Sequence, residues 1–262
     1  MKKTKEQHTF YKGISKNEQF LLSLIKEKKL IVFGVRELKR LTKWKKTTIH
    51  NTLFSLTKKS LLIKIKRDNY ILKEILEEKP FEIATELITP SYISFWTALS
   101  FYGFTEQQVK VIQLVSPIQE NNLKFDLKSV EVTTLKPERF FGYKKEDGYA
   151  IAEKEKALID SLYQLDKCGG LDEFVKCLKD SWKEINKKKF INYLVRFNNK
   201  SMVSRAGYLI EELKLKGIKL RTLKKYKSNS FIKLNPQRKK ANRYNKKWKI
   251  IVNQEITEEV IR

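Results

Sequence analysis

Cysteine is almost absent from this chain of 262 residues: Cys168 and Cys177 stand nine positions apart and far from both histidines. That excludes a disulfide framework and any zinc-ligand spacing, and it fits a reduced, intracellular setting. With two histidines in all, general acid–base chemistry is thinly supplied. No glycine-rich phosphate loop, metal-spaced histidine pair or Ser-His-Asp set occurs. No run of about 18 apolar residues exists, and Met1 to Lys16 is polar and Lys-rich without the apolar segment of a signal peptide. The expectation is a soluble, cytoplasmic protein that needs no cofactor or metal and has no membrane partner.

Acid is outnumbered by base, 30 residues against 56, and the distribution of charge is more telling than the total. The formal charge of +26 divides into +13 over residues 1–80, −4 over residues 81–180 and +17 over residues 181–262. A lysine bias of the genome would make the chain basic throughout, whereas a slightly acidic middle between two basic ends indicates separate tasks. The length suits two domains, each large enough to bury its own core. The carboxylates Glu131, Glu146, Asp147, Glu153, Glu155 and Asp160 are numerous enough to hold Mg²⁺. Glu153, Lys154, Glu155 and Lys156, however, alternate in sign along a predicted helix, as solvated faces do. An enzyme is therefore not expected. A metal-dependent enzyme acting on nucleic acid or nucleotides is the alternative, beside a stand-alone ligand-responsive transcription factor.

What is present begins with periodicity. Phe20, Leu21, Leu24 and Ile25 mark one face of a first helix, with Ser15 as its N-cap ahead of Glu18. Leu30 to Phe33 suits a short strand closed by Gly34. Val35, Leu38 and Leu41 carry a second helix, and Thr42 to Lys45 forms a turn. A third helix runs from about Lys46 to Lys59, its Ile49, Leu53 and Leu56 facing inward. At 100° per residue, Thr47, Asn51, Ser55 and Lys58 then lie opposite, with Thr48 and His50 flanking. Leu61 to Lys66 and Tyr70 to Leu72, joined through Arg67-Asp68-Asn69, read as a β-hairpin.

This order is that of a winged helix-turn-helix over residues 1–78, the first part of an α+β chain whose larger mixed α/β domain occupies 79–262. Between Val35 and Arg67 eleven Lys or Arg face a single acid, Glu37. Thr47, Thr48, Asn51 and Ser55 are short hydrogen-bonding side chains able to read base edges. Arg36, Lys39, Lys43, Lys45, Lys46, Lys64, Lys66 and Arg67 are the expected phosphate contacts. Helices with a hairpin also build protein-interaction modules; the placement of charge favours double-stranded DNA. His50 is expected to flank or pack rather than to ligate.

After a charged linker, Lys73 to Glu82, the sequence alternates. Helices are expected at Ile83–Leu87, from Pro90 to Phe101, Glu153–Leu165, Leu171–Leu178, Lys188–Phe197 and Ser201–Leu215. Strands are expected at Val109–Ser116, Val130–Thr134, Gly148–Ile151, Ser230–Leu234 and Trp248–Val252. Lys233, Arg238, Lys239, Lys240, Arg243, Lys246 and Lys247 form a candidate second basic surface with Tyr244 and Trp248 interleaved. Such a surface could grip phosphates and stack bases; alternatively the aromatics pack a sheet and the lysines are solvated.

Leu87-Ile88-Thr89-Pro90-Ser91-Tyr92-Ile93-Ser94-Phe95-Trp96-Thr97-Ala98-Leu99-Ser100-Phe101-Tyr102-Gly103-Phe104-Thr105-Glu106-Gln107 resembles the signature of the abortive-infection AbiEi antitoxin family, as does the stretch from Ile151 to Tyr163. Leu234-Asn235-Pro236 and Arg243 to Trp248 resemble its closing strand region, so the likeness spans about residues 18–253. Arg67, Tyr70 and Leu72 match its wing, with Asn69 in the φ > 0 role that Gly often fills. The Lys-rich interval Ser228–Lys249 departs from it. The resemblance implies an autorepressor that binds inverted repeats in its own promoter, two protomers to a site, and the antitoxin of a type IV toxin–antitoxin pair. Its genetic partner would be a nucleotidyltransferase-like toxin, opposed without a stable complex.

Overall fold

The computed structural model describes residues 13–125, 128–239 and 241–256. The chain is mixed α/β and divides into two compact units, Met1–Leu87 and Ile88–Arg262.

In the first unit, α1 (Lys16–Glu27), α2 (Val35–Thr42) and α3 (Lys46–Lys58) precede the hairpin of β1 (Leu62–Lys66) and β2 (Asn69–Leu72). α1 starts at a full capping box. Glu18 N–H donates to Ser15 Oγ at 3.3 Å, and Ser15 N–H donates to the Glu18 carboxylate at 2.6 Å. Lys43, at φ +59°, ends α2 in the left-handed conformation, and three residues later α3 begins. The apolar faces of all three helices meet in one core of Leu21, Ile25, Leu38, Ile49, Leu53, Leu56 and the hairpin's Leu62 and Leu72. Burying such a stripe, rather than helix propensity, is what stabilises helices this short.

Two local expectations change. Leu30 to Phe33 forms no full strand: Phe33 alone bridges Tyr70, through hydrogen bonds of 3.0 and 2.8 Å. The segment from Lys73 is not an open linker. Lys73–Ile75 makes a 3-10 turn and α4 (Pro80–Leu87) follows, Pro80 standing where a helix tolerates a missing N–H.

The second unit is built on a six-stranded sheet. In chain order its elements are β3 (Tyr92–Ile93), α5 (Phe95–Phe101), β4 (Val111–Ser116), β5 (Leu123–Phe125), β6 (Lys128–Thr134), β7 (Tyr143–Glu146), β8 (Tyr149–Ala152) and α6 (Lys154–Tyr163). The strand order is β5-β6-β4-β3-β8-β7, with β6/β4 and β3/β8 parallel and the other pairs antiparallel. The helix expected to open after Pro90 is displaced, because Tyr92 and Ile93 pair with β4 and α5 starts only at Phe95. Then come α7 (Leu171–Ser181), α8 (Lys187–Arg196), α9 (Lys200–Glu212), β9 (Ile232–Lys233), β10 (Tyr244–Asn245) and β11 (Ile250–Ile251). The last three form a small sheet of order β10-β11-β9. Trp248, fully buried, lies against Gly207 of α9, where a Cβ would come within 2.2 Å of the indole. Among the described residues no helix is long and apolar enough to cross a membrane.

Candidate nucleic-acid interface

The inward stripe of α3 decides what its other side presents. Ile49, Leu53 and Leu56 are fully buried and Thr52 nearly so, which leaves Lys46, Thr47, His50, Asn51, Phe54 and Lys58 exposed. Thr48 is half-buried on the flank. Ser55 differs from the expectation. It is half-buried, and its hydroxyl hydrogen-bonds the Glu18 carboxylate on α1, so it belongs to the α1–α3 contact rather than to the outward face. The geometry is simple: Ser55 lies 80° from Thr47 around the helix, whereas Phe54 lies within about 20° of it. Phe54, 68% exposed beneath the Lys58 ammonium 5.9 Å above its ring, takes the place assigned to Ser55. Phe54 was not singled out in the sequence, although the phase of the helix places it outside.

The start of α3 is open chemically. Its N-cap is Lys45, no side chain caps its first N–H groups, and no acid stands in its first turn. Such an end carries unsatisfied donors and the positive end of the helix dipole, which suits an anionic oxygen. Lys45 and Lys46 add charge at the same place.

The hairpin turn is tied to α2. Asp68, at φ +63°, makes the left-handed residue of the turn; Asn69, expected in that role, is already in β2. The Asp68 carboxylate accepts from Val35 N–H at 2.9 Å, satisfying an orphan donor at the start of α2. Gly34 makes the approach possible, since a Cβ there would lie 2.3 Å from the Asp68 carbonyl oxygen. The ladder shifts register between Lys64 and Lys66, so the strand tip bends. Lys66 is half-buried and donates to Leu87 O at 3.1 Å, which turns it away from the exposed hairpin face where Lys64 and Arg67 stand. Arg36, Arg40 and Arg67 surround an open cavity of about 750 Å³ between the start of α2 and the turn. Arg36, Lys39, Lys43, Lys45, Lys46, Lys64 and Arg67 are all exposed, and among the described residues none of them forms an ion pair.

Two acids stand within that field, Glu37 beside Arg40 at 4.0 Å and Asp68 on the cavity wall, while Glu18 is engaged elsewhere. Glu18 is buried and ion-paired to Lys59 at 2.8 Å. Burial raises its pKa, but hydrogen bonds from Lys59, Ser55 and Ser15 outweigh that and hold it at about 2, against an ordinary 4.5.

The second basic surface is less uniform. Trp248 is core, its indole N–H donating to Glu211. Lys247 pairs with Glu211 and Arg243 with Glu255, while Lys233 donates to Arg238 O. Tyr244 is exposed and packs edge-on against Phe231 at 5.2 Å. Lys240 lies outside the described residues.

In the second unit the two stretches that carry the family resemblance meet. Lys156 and Asp160 of α6 are fully buried and ion-paired. Ser94 Oγ donates to Asp160 at 2.7 Å, Tyr92 O–H donates to it at 3.0 Å, and Lys156 Nζ donates to Tyr92 Oη at 2.7 Å. The ammonium also lies 5.1–5.4 Å from the rings of Tyr92, Phe141 and Phe197. Burial drives the Lys156 pKa down and the Asp160 pKa up, each opposed by the other's charge. Every polar atom of the pair has a partner, so the cluster fastens α6 to β3. Of the carboxylates singled out in sequence, Glu131 pairs with Lys167, Glu146 with Lys144 and Glu153 with Lys189. Glu155 accepts from Asn186 N–H at 2.7 Å. Among the described residues no group of His, Cys, Asp and Glu is placed to hold a metal ion.

No protein-family model matches the chain, and no curated protein matches it in sequence.

Proposed function

We propose that the first unit is a winged helix-turn-helix and that the chain is a DNA-binding transcriptional autorepressor acting in the cytoplasm. The observation that carries this reading is the outward face of α3. Thr47 and Asn51 are exposed beside an uncapped helix start, with unpaired cations on α2, on the turn and on the hairpin. In this reading Asn51 bonds an adenine edge, Thr47 and Phe54 meet thymine methyls, and Lys64, Arg67 and the α2 cations hold phosphates. α3 supplies the sequence preference and the cations supply most of the affinity.

The resemblance of residues 87–107 and 151–163 extends the proposal: the chain is the antitoxin of a type IV pair, with a nucleotidyltransferase-like toxin as its genetic partner. Two protomers would occupy an inverted repeat with half-sites about one helical turn apart or a multiple of it.

The test is a mobility-shift assay on the DNA upstream of the chain's own gene, against random duplex. Asn51→Ala should cost about 1–3 kcal/mol on the cognate site and little on random duplex. Equal losses on both would remove Asn51 from base reading. For the antitoxin part, co-expression with the adjacent reading frame should relieve its toxicity; an adjacent frame that is harmless alone would overturn it.

A further inference from the structure

The strongest positive charge of the chain, in residues 181–262, has a second concentration apart from the small sheet. α8 turns two stripes in one direction: Lys187, Ile191 and Val195 recur every four residues, and Lys188, Asn192 and Arg196 run alongside. Opposite them stands the segment from Gly217 to Tyr226. That wall is fixed in place, because Trp182 Nε1 donates to Lys216 O at 2.7 Å and Leu223 is fully buried beneath the 3-10 turns. Between the two lies a groove of about 890 Å³.

Its lining holds five cations, Lys187, Lys188, Arg196, Lys219 and Lys225, and no acid. Among the described residues none of the five is in an ion pair. The Arg196 guanidinium is held 4.0 Å from the Phe141 ring, and the Lys225 ammonium lies 4.9 Å from Tyr226. The floor, by contrast, is only Ile191, Val195 and Ile218, all half-buried already. The accessible lining is largely apolar, supplied by these side chains and the stems of the lysines, yet five cations and no acid rim it, which decides against a purely hydrophobic helix or an acyl chain. Either would cover the floor and leave most of the cations unmatched. The volume is that of a small-molecule site, about 300–1,000 Å³. A compact polyanion with one flat apolar end matches both parts.

We propose that this groove binds a nucleoside polyphosphate, its phosphates among Lys187, Lys188, Lys219 and Lys225 and its base on the Ile191–Val195 floor beside Tyr226. Asn192 is exposed with no hydrogen-bond partner among the described residues, and it offers both a donor and an acceptor to a base edge. The inference does not depend on the DNA-binding reading, since all these residues lie in the second unit.

The experiment is calorimetric titration of the full chain with each of the four nucleoside triphosphates, inorganic triphosphate, the free nucleosides and a short single-stranded oligonucleotide. One nucleotide per chain is expected, at least about tenfold tighter than inorganic triphosphate because the base meets the floor. Lys219→Glu with Lys225→Glu should abolish binding. Lys64→Glu with Arg67→Glu, on the hairpin, should leave it unchanged. Asn192→Asp, an exposed substitution, places an acid in the groove and should weaken binding if the paired reversal folds poorly. Inorganic triphosphate binding as tightly as any nucleotide would overturn the proposal. So would an oligonucleotide binding more tightly and displacing the nucleotide, full binding by the groove variants, or no binding at all.

Discussion

Glu18→Gln should destabilise the first unit by about 2–3 kcal/mol at neutral pH, and the deficit should vanish in acid. The carboxyl titrates at about 2 in the folded chain against an ordinary 4.5. At about 1.4 kcal/mol per unit that difference is worth at most about 3.5 kcal/mol, and solvent around the partly exposed Lys59 brings it down to about 2–3 kcal/mol. A folded-state pKa below the unfolded one gives stability that is complete above the unfolded value and is lost as pH falls through the folded one. The gap between wild type and variant should therefore be full at pH 7, begin to close near 4.5 and be gone near 2. Glutamine keeps the shape and can serve in a capping box, so the change removes the charge and little else. Urea unfolding of both proteins, followed by Trp44 through single-tryptophan versions of the chain, measures the gap at each pH. Equal stabilities at pH 7, or a gap that persists at pH 2, would refute the claim that Lys59 and Ser55 hold an ionised Glu18.

Lys64→Ala and Arg67→Ala should weaken binding to specific and random duplexes alike, each reducing the slope of log affinity against log salt by about one; an unchanged slope removes that residue from the phosphate contacts. Gly34→Ala should cost about 1–3 kcal/mol, because its Cβ would collide with the Asp68 backbone, and should lower DNA affinity with it. Wild-type melting and binding in that variant would mean the turn is not seated on α2. Lys156→Met or Asp160→Asn alone should cost about 3–5 kcal/mol, each leaving its partner buried without a counter-charge. The double variant should lose less than the sum of the two, a result that denaturant titration of all three proteins would check.

The helices were legible in the sequence wherever one face was apolar. α1, α2, α3, α6, α7, α8 and α9 all begin and end within a few residues of where the periodicity puts them. β3, β5, β7 and β10 were not, for two different reasons. β3 and β10 have two residues each and β5 three, too few for alternation to show, whereas the equally short β9 and β11 were legible from the longer apolar runs around them. β7 is Tyr-Lys-Lys-Glu, an edge strand that buries almost nothing and so carries no apolar signal. Of the α3 side chains expected to point outward, Thr47 and Asn51 are exposed and Ser55 is half-buried. A serine looks the same whether it meets water or a buried carboxylate 37 residues earlier, and only the fold brings Glu18 to it. The buried Lys156 escaped for the opposite reason. Alternating charge along a helix resembles a solvated face, and nothing local discloses that Tyr92 and Ser94 stand ready to receive the pair.

The two acids that most constrain the first unit both act on the elements that carry its cations. Glu18 joins α1 to the far end of α3 through Lys59 and Ser55, while Asp68 joins the hairpin turn to the near end of α2. Glu18 is paired with Lys59, whereas Asp68 satisfies Val35 N–H while standing beside Arg36, Arg40 and Arg67. Removing either acid would increase the net positive charge, so simple electrostatics predicts tighter binding to any polyanion. If α3 and the hairpin act as one surface, the opposite must hold for a specific duplex: Asp68→Ala, which removes both the charge and the acceptor for Val35 N–H, should gain affinity for random DNA and lose it for the cognate site. The loss follows because the spacing between Asn51 and Arg67 is no longer held. A specificity ratio that stays constant while both affinities rise would mean that the cations act independently and that this carboxylate contributes only to stability.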